Sequence, residues 1–71
     1  MTQKKIQVFI NGKKKMYNEN NNLLEILKDL NLDNIGIAVE INYTVIPKSK
    51  YKSTLIRNND KVEIVQFIGG G

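Results

Sequence analysis

The sequence predicts an α+β fold, a mixed sheet of four to five strands with one short helix packed on one face. Three observations carry that prediction. Apolar residues alternate with polar ones near both ends of the chain, Leu23, Ile26, Leu27 and Leu30 recur at helical spacing, and Asn11-Gly12 separates the first two strand candidates. With 71 residues there is room for a single domain, expected over 1–68 with a flexible glycine tail at 69–71. The chain has no cysteine and no histidine. That excludes disulfides, thiolate–metal sites, a Cys nucleophile and a persulfide held on this chain, and it removes the commonest general base and zinc ligand.

Ile6, Val8 and Ile10 share one face of a first strand, with Gln7 and Phe9 on the other. Asn11-Gly12 supplies the two positive-φ residues of a tight hairpin turn, so Lys13 to Tyr17 is the return strand, with Met16 or Tyr17 reaching the core. Lys13, Lys14 and Lys15 suit a sheet edge, where lysine discourages pairing with another chain. After the Asn-rich stretch to Asn22, that residue is a good N-cap and Glu25 stands at the capping-box position of a helix from Leu23 to about Leu30. A helix so short needs a sheet to pack on. Asn31 to Gly36 is a connection with Leu32 and Ile35 as anchors, and Gly36 is a candidate for unusual φ.

Ile37, Val39, Ile41 and Tyr43 then alternate with Ala38, Glu40 and Asn42 as a third strand, and Thr44 to Ile46 is a short fourth that Pro47 ends. The polar stretch from Lys48 to Asn59 reads as a loop with a helical turn, anchored by Leu55 and Ile56. Lys61 to Phe67 is the last strand, with Val62 and Ile64 on one face and Glu63, Val65 and Phe67 on the other. The order hairpin, helix, strand pair, loop, strand sets the first and last strands side by side in mid-sheet, which is a β-grasp (ubiquitin-like) arrangement.

The formal charge is +4, from eleven basic residues against seven acids. Ten of the eleven are lysine and no aromatic is interleaved with them, so nucleic-acid binding is not expected. Apolar runs are far too short for a membrane span and no secretory signal opens the chain, which points to the cytoplasm.

Three of the five glycines are the last three residues. Such a run at a given place arises by chance about three times in ten thousand. Three extended residues reach about 10 Å beyond the domain. Lacking Cβ, they can thread a narrow channel. The α-carboxylate at the tip is ionised at neutral pH and a poor electrophile, so it must be activated, most simply as an acyl-phosphate or acyl-adenylate, before a sulfur or nitrogen nucleophile can attack. The chain thus reads as a substrate for chemistry, with Gly71 carrying the reacting carbonyl and Gly69 and Gly70 providing access. Phe9, Val65 and Phe67 are expected to form an apolar patch on the outer sheet face near that tail, a docking surface joined by Ile68.

With these residues in view, the chain resembles the ThiS family of sulfur carriers of thiamin biosynthesis. The resemblance is strongest over Ile37-Ala38-Val39-Glu40-Ile41-Asn42, Val45-Ile46-Pro47-Lys48-Ser49, Asp60-Lys61-Val62-Glu63-Ile64-Val65 and Ile68-Gly69-Gly70-Gly71. It implies adenylation of the Gly71 carboxylate by a ubiquitin-activating-like adenylyltransferase, ThiF. A cysteine desulfurase persulfide, direct or relayed, then supplies the sulfur of a thiocarboxylate, which thiazole synthase, ThiG, consumes. It further implies a protein cosubstrate and not an enzyme, monomeric when free, that binds no cofactor of its own while partners use ATP and persulfide sulfur. Family members often carry Asn-Gly where this chain has Asn42-Tyr43, a less ideal turn. The small subunit of molybdopterin synthase, a protein modifier and a β-grasp RNA-binding module are the alternatives.

Overall fold

The computed structural model describes residues 4–33 and 36–67. The chain runs β1 (Lys5–Ile10), β2 (Lys13–Asn18), α1 (Leu23–Asp29), β3 (Ile37–Ile41), β4 (Thr44–Ile46), a 3₁₀ turn (Lys48–Lys50) and β5 (Lys61–Gln66). The strands form one five-stranded sheet in the order β2-β1-β5-β3-β4. β1 and β5 are parallel and every other neighbouring pair is antiparallel. The first and last strands therefore do lie side by side, at the centre of a mixed sheet with one helix on one face. The lysines of β2 occupy an edge, as expected.

The core is the sheet face under α1. Ile6, Val8 and Ile10 of β1, Val39 and Ile41 of β3, and Val62 and Ile64 of β5 pack with Leu23, Ile26 and Leu27 of α1. These are the positions that period-two and helical spacing select. Among the described residues no polar or charged side chain is buried, so the apolar side chains hold the fold without buried ion pairs. No helix among them is long and apolar enough to cross a membrane.

The helix ends are satisfied as the sequence indicates. Asn22 Oδ1 accepts from the Glu25 N–H at 2.8 Å, and Glu25 Oε1 accepts from the Asn22 N–H at 2.8 Å. The two earlier helical N–H groups donate to the polar loop, Leu23 to the Thr54 carbonyl at 2.8 Å and Leu24 to the Tyr51 carbonyl at 3.2 Å. The loop thus completes the cap that a seven-residue helix needs.

Three local expectations are corrected, and the choice between Met16 and Tyr17 is settled. β3 stops at Ile41; Asn42 (φ 51°) and Tyr43 (φ 70°) form the turn into β4, and Tyr43 is 78% exposed. Reversal within two residues overrides the alternation there, because β4 must return beside β3. Leu55 is exposed and only Ile56 anchors the loop, while Tyr51 supplies the second buried side chain. Tyr17, opposite Ile6, is the β2 residue that packs on the core, and Met16, opposite Gln7, is exposed. Gly36 does not take a positive φ. A Cβ there would stand 3.3 Å from Phe67 Cδ2, so the glycine makes room for that ring. Of the two anchors expected in the connection, Leu32 packs against the core; Ile35 lies outside the described residues.

Candidate functional site

β5 runs to Gln66, and its alternation decides which face of the sheet its side chains take. Val62 and Ile64 point into the core, which turns Glu63, Val65 and Phe67 to the helix-free face. Val65 and Phe67 are 60% and 66% exposed. The Phe67 N–H donates to the Gly36 carbonyl at 2.9 Å, fixing the backbone of the last described residue against the start of β3. Beside it is a small cavity of about 100 Å³, bordered by Leu32, Lys48, Tyr51 and the Phe67 ring.

Phe9 is placed differently. It sits half-buried between Lys14 of β2 and Lys61 of β5. Val65 is four residues farther along β5, about 13 Å at roughly 3.3 Å per residue. The outer face therefore carries Val65 and Phe67 near the chain's end and Phe9 apart from them, in place of the single patch expected. Ile68, Gly69, Gly70 and Gly71 lie outside the described residues.

The β1–β5 junction that holds this strand in place is short, with Phe9 opposite Lys61 and Ile10 opposite Val62. Asn11 extends it. Its backbone N–H donates to the Val62 carbonyl at 2.8 Å, its Nδ2 to the Ile64 carbonyl at 3.1 Å, and its Oδ1 accepts from the Ile64 N–H at 2.7 Å. Asn42 acts alike from the turn after β3: its N–H donates to the Lys61 carbonyl at 2.8 Å and its Oδ1 accepts from the Lys61 N–H at 3.0 Å. The sequence marks Asn11 as a turn former and sets Asn42 in the third strand; the side chains of both also brace β5, one from either side.

A cleft of about 370 Å³ lies at the opposite pole, lined by Lys4, Lys5, Leu55, Ile56 and Arg57. Among the described residues no cluster of acidic or imidazole groups could hold a metal ion. One titratable group is displaced: burial first, and then the nearby Asp29 carboxylate, push the Tyr17 phenol above the ordinary 10.0. Among the described residues no nucleophile is paired with a base. What the arrangement does offer is a strand braced on both sides that runs to Gln66, with Phe67 as the last described residue.

The sequence profile of the ThiS family matches residues 3–71. The chain belongs to the ThiS family. That is a family of small sulfur carriers of thiamine biosynthesis, with the ubiquitin-like β-grasp fold seen here. The crystal structure of the thiamine biosynthesis protein ThiS from Geobacter metallireducens superposes with a TM-score of 0.79 at 29% identity, over 93% of this chain and 100% of that one. The sulfur carrier protein ThiS of Bacillus subtilis (strain 168) is 33% identical over 63 residues, 87% of this chain and 96% of its own length. A thiazole synthase of Paramagnetospirillum magneticum (strain ATCC 700264 / AMB-1) is 36% identical over 66 residues. Those residues are 93% of this chain, which spans 20% of that synthase.

Proposed function

We propose that this ThiS-family chain is a protein cosubstrate whose Gly71 carboxylate is adenylated and then converted to a thiocarboxylate that gives its sulfur to thiazole phosphate formation. The match to a fifth of a thiazole synthase carries the destination: a domain of this kind joined to that enzyme is held where its sulfur is used. The chemistry follows from the carboxylate. Its oxygen attacks the α-phosphorus of ATP, releasing pyrophosphate and leaving an acyl-adenylate. The terminal sulfur of a persulfide displaces AMP, and a thiol cleaves the sulfur–sulfur bond of the resulting acyl persulfide, freeing the thiocarboxylate.

ATP and sulfur enter through partners, an adenylyltransferase of the ThiF kind and a cysteine desulfurase or its relay. The acceptor enzyme is a ThiG-type thiazole synthase, and the cycle belongs to the cytoplasm. This chain binds no cofactor in the scheme. Gly69 and Gly70 give access to the reacting carbonyl, and Val65, Phe67 and Ile68 meet the partners, with Phe9 at the margin.

The test is intact mass spectrometry after incubation with ATP, the adenylyltransferase, a cysteine desulfurase and cysteine. A mass gain of one oxygen-to-sulfur exchange mapped to Gly71 is expected. No gain, with an adenylyltransferase shown to be active on another carrier, would refute the scheme.

A further inference from the structure

We propose that the cleft at the pole opposite Phe67 is a docking slot for an acidic, extended segment of a partner protein. The segment lies beside Lys5 as a short added strand and sets its carboxylates against Lys4, Lys5 and Arg57. The inference stands on this end of the sheet alone and does not depend on the sulfur-carrier reading.

Backbone groups along β1 alternate in direction. The even positions face β2, as the Lys4 carbonyl shows by accepting from the Glu19 N–H at 2.8 Å. The odd positions face the β5 side. There the Phe9 N–H donates to the Asp60 carbonyl at 2.9 Å, the Gln7 N–H donates to Asn58 Oδ1 at 2.9 Å, and the Gln7 carbonyl accepts from the Asn59 N–H at 2.7 Å. Lys5 is next in that row, but the chain opposite has turned elsewhere. The Arg57 N–H is held by Asp60 Oδ2 at 2.8 Å and the Ile56 N–H by the Asn21 carbonyl at 2.9 Å. The N–H and C=O of Lys5 therefore open into the cleft of about 370 Å³ that Lys5 shares with Leu55, Ile56 and Arg57. A pair left open in this way is what an extended peptide uses when it adds to a sheet.

The side chains around the cleft say what that peptide carries. Lys4, Lys5 and Arg57 are all exposed at its rim, and among the described residues Glu19 is the one acid lining it. Carboxylates on the incoming segment match this surplus, with the Arg57 guanidinium able to take one of them in a fork. Leu55, 53% exposed beside them, offers an apolar contact to a side chain of the same segment. A second copy of this chain fits poorly, because its net charge of +4 opposes approach to a cationic cleft. A nucleic acid would gain from the cations but has no use for the open backbone pair, and no aromatic lines the cleft for a base to stack on. Four steps of β1 and six of β5 separate Lys5 from Phe67, about 30 Å at roughly 3.3 Å per residue. A protein held at Lys5 thus leaves the Phe67 pole accessible to another.

The experiment titrates the full, isotope-labelled chain with short capped peptides and follows its backbone amides by NMR. The probes are a peptide alternating aspartate with valine, its counterpart with asparagine for aspartate, and the acidic peptide N-methylated at its central backbone nitrogens. Inorganic phosphate and a short oligothymidylate are titrated alongside. The acidic peptide should shift the amides of Lys5, Leu55 and Arg57, leave Phe67 in place and slow hydrogen exchange at Lys5. The asparagine peptide should bind about tenfold more weakly, and the N-methylated one about fivefold, since each removes one part of the recognition. Arg57→Gln and Lys4→Gln should each weaken the acidic peptide by about threefold with an unchanged thermal midpoint, both side chains being exposed. Affinities of the three peptides within about twofold of one another overturn the proposal, as does the absence of shifts at millimolar peptide or their centring on Phe67. Phosphate that reproduces the Lys5 shifts reduces the cleft to an anion site and overturns the added strand; tighter binding of the oligothymidylate overturns the peptide in favour of nucleic acid.

Discussion

Asn11 shows how much one side chain can contribute. At φ 49° it tolerates the left-handed turn, and its amide then pairs with both backbone groups of Ile64. Asn11→Gly keeps the turn and removes only the brace. Two hydrogen bonds at about 1 kcal/mol each put the loss near 1–2 kcal/mol, measured by chemical denaturation. Tyr17 behaves in the opposite sense. Its hydroxyl is shut off from solvent, with the Asp29 carboxylate nearby but no hydrogen bond of ordinary geometry. Tyr17→Phe should therefore raise stability at neutral pH by up to about 1 kcal/mol. The raised phenol ionisation adds a pH signature: the unfolded chain loses its proton first, so wild-type stability falls as pH climbs past 10.0. The Phe variant should lack that component, as paired denaturation series at neutral and alkaline pH will show. Tyr43 is the residue whose position its own type does not explain. It occupies the left-handed region, which favours glycine, with Lys61 Nζ 6.0 Å from its ring centroid as partial compensation.

At the scale of elements, α1 is too short to stand alone and depends on its cap and on the loop that meets it. Asn22→Ala removes the acceptor for the Glu25 N–H and should cost about 1 kcal/mol in chemical denaturation. The capping box, the Asn-Gly hairpin and the alternation of β1 and β5 were all legible in the sequence because each is a local rule acting within a few residues. The misassigned positions share the opposite property. Tyr51 is buried and Leu55 exposed because the loop is tied to the helix start through the Leu24 and Leu23 N–H groups, contacts remote in sequence. Tyr43 continues an apolar alternation that only the return of β4 interrupts. Gly36 is glycine because of a ring thirty-one residues away, which no local pattern reveals. The spread of Phe9 away from Val65 likewise follows from the parallel register of two strands at opposite ends of the chain. The terminal glycines were conspicuous in composition, and their chemistry was read from a carboxylate's need for activation, not from geometry.

For the whole molecule the proposed scheme divides labour between a folded body and an end that reacts. Among the described residues, every buried core side chain lies between Ile6 and Ile64. Glycine has no side chain to add to it, so a chain lacking Gly70 and Gly71 should unfold at the same denaturant midpoint as the full one. The same truncation removes the proposed acyl donor, and with it adenylation, read as pyrophosphate release or ATP–pyrophosphate exchange. The two readouts together discriminate between functions. A β-grasp nucleic-acid module would keep its ligand affinity after truncation, and that affinity would fall steeply with salt through its lysines. A carrier would lose all activation at every salt concentration while keeping its fold. If truncation lowered the midpoint, the end of the chain would belong to the body, and lost activation could no longer be assigned to the missing carboxylate alone. An unchanged midpoint with no pyrophosphate release would leave the end of the chain as the working part and the sheet as its mount.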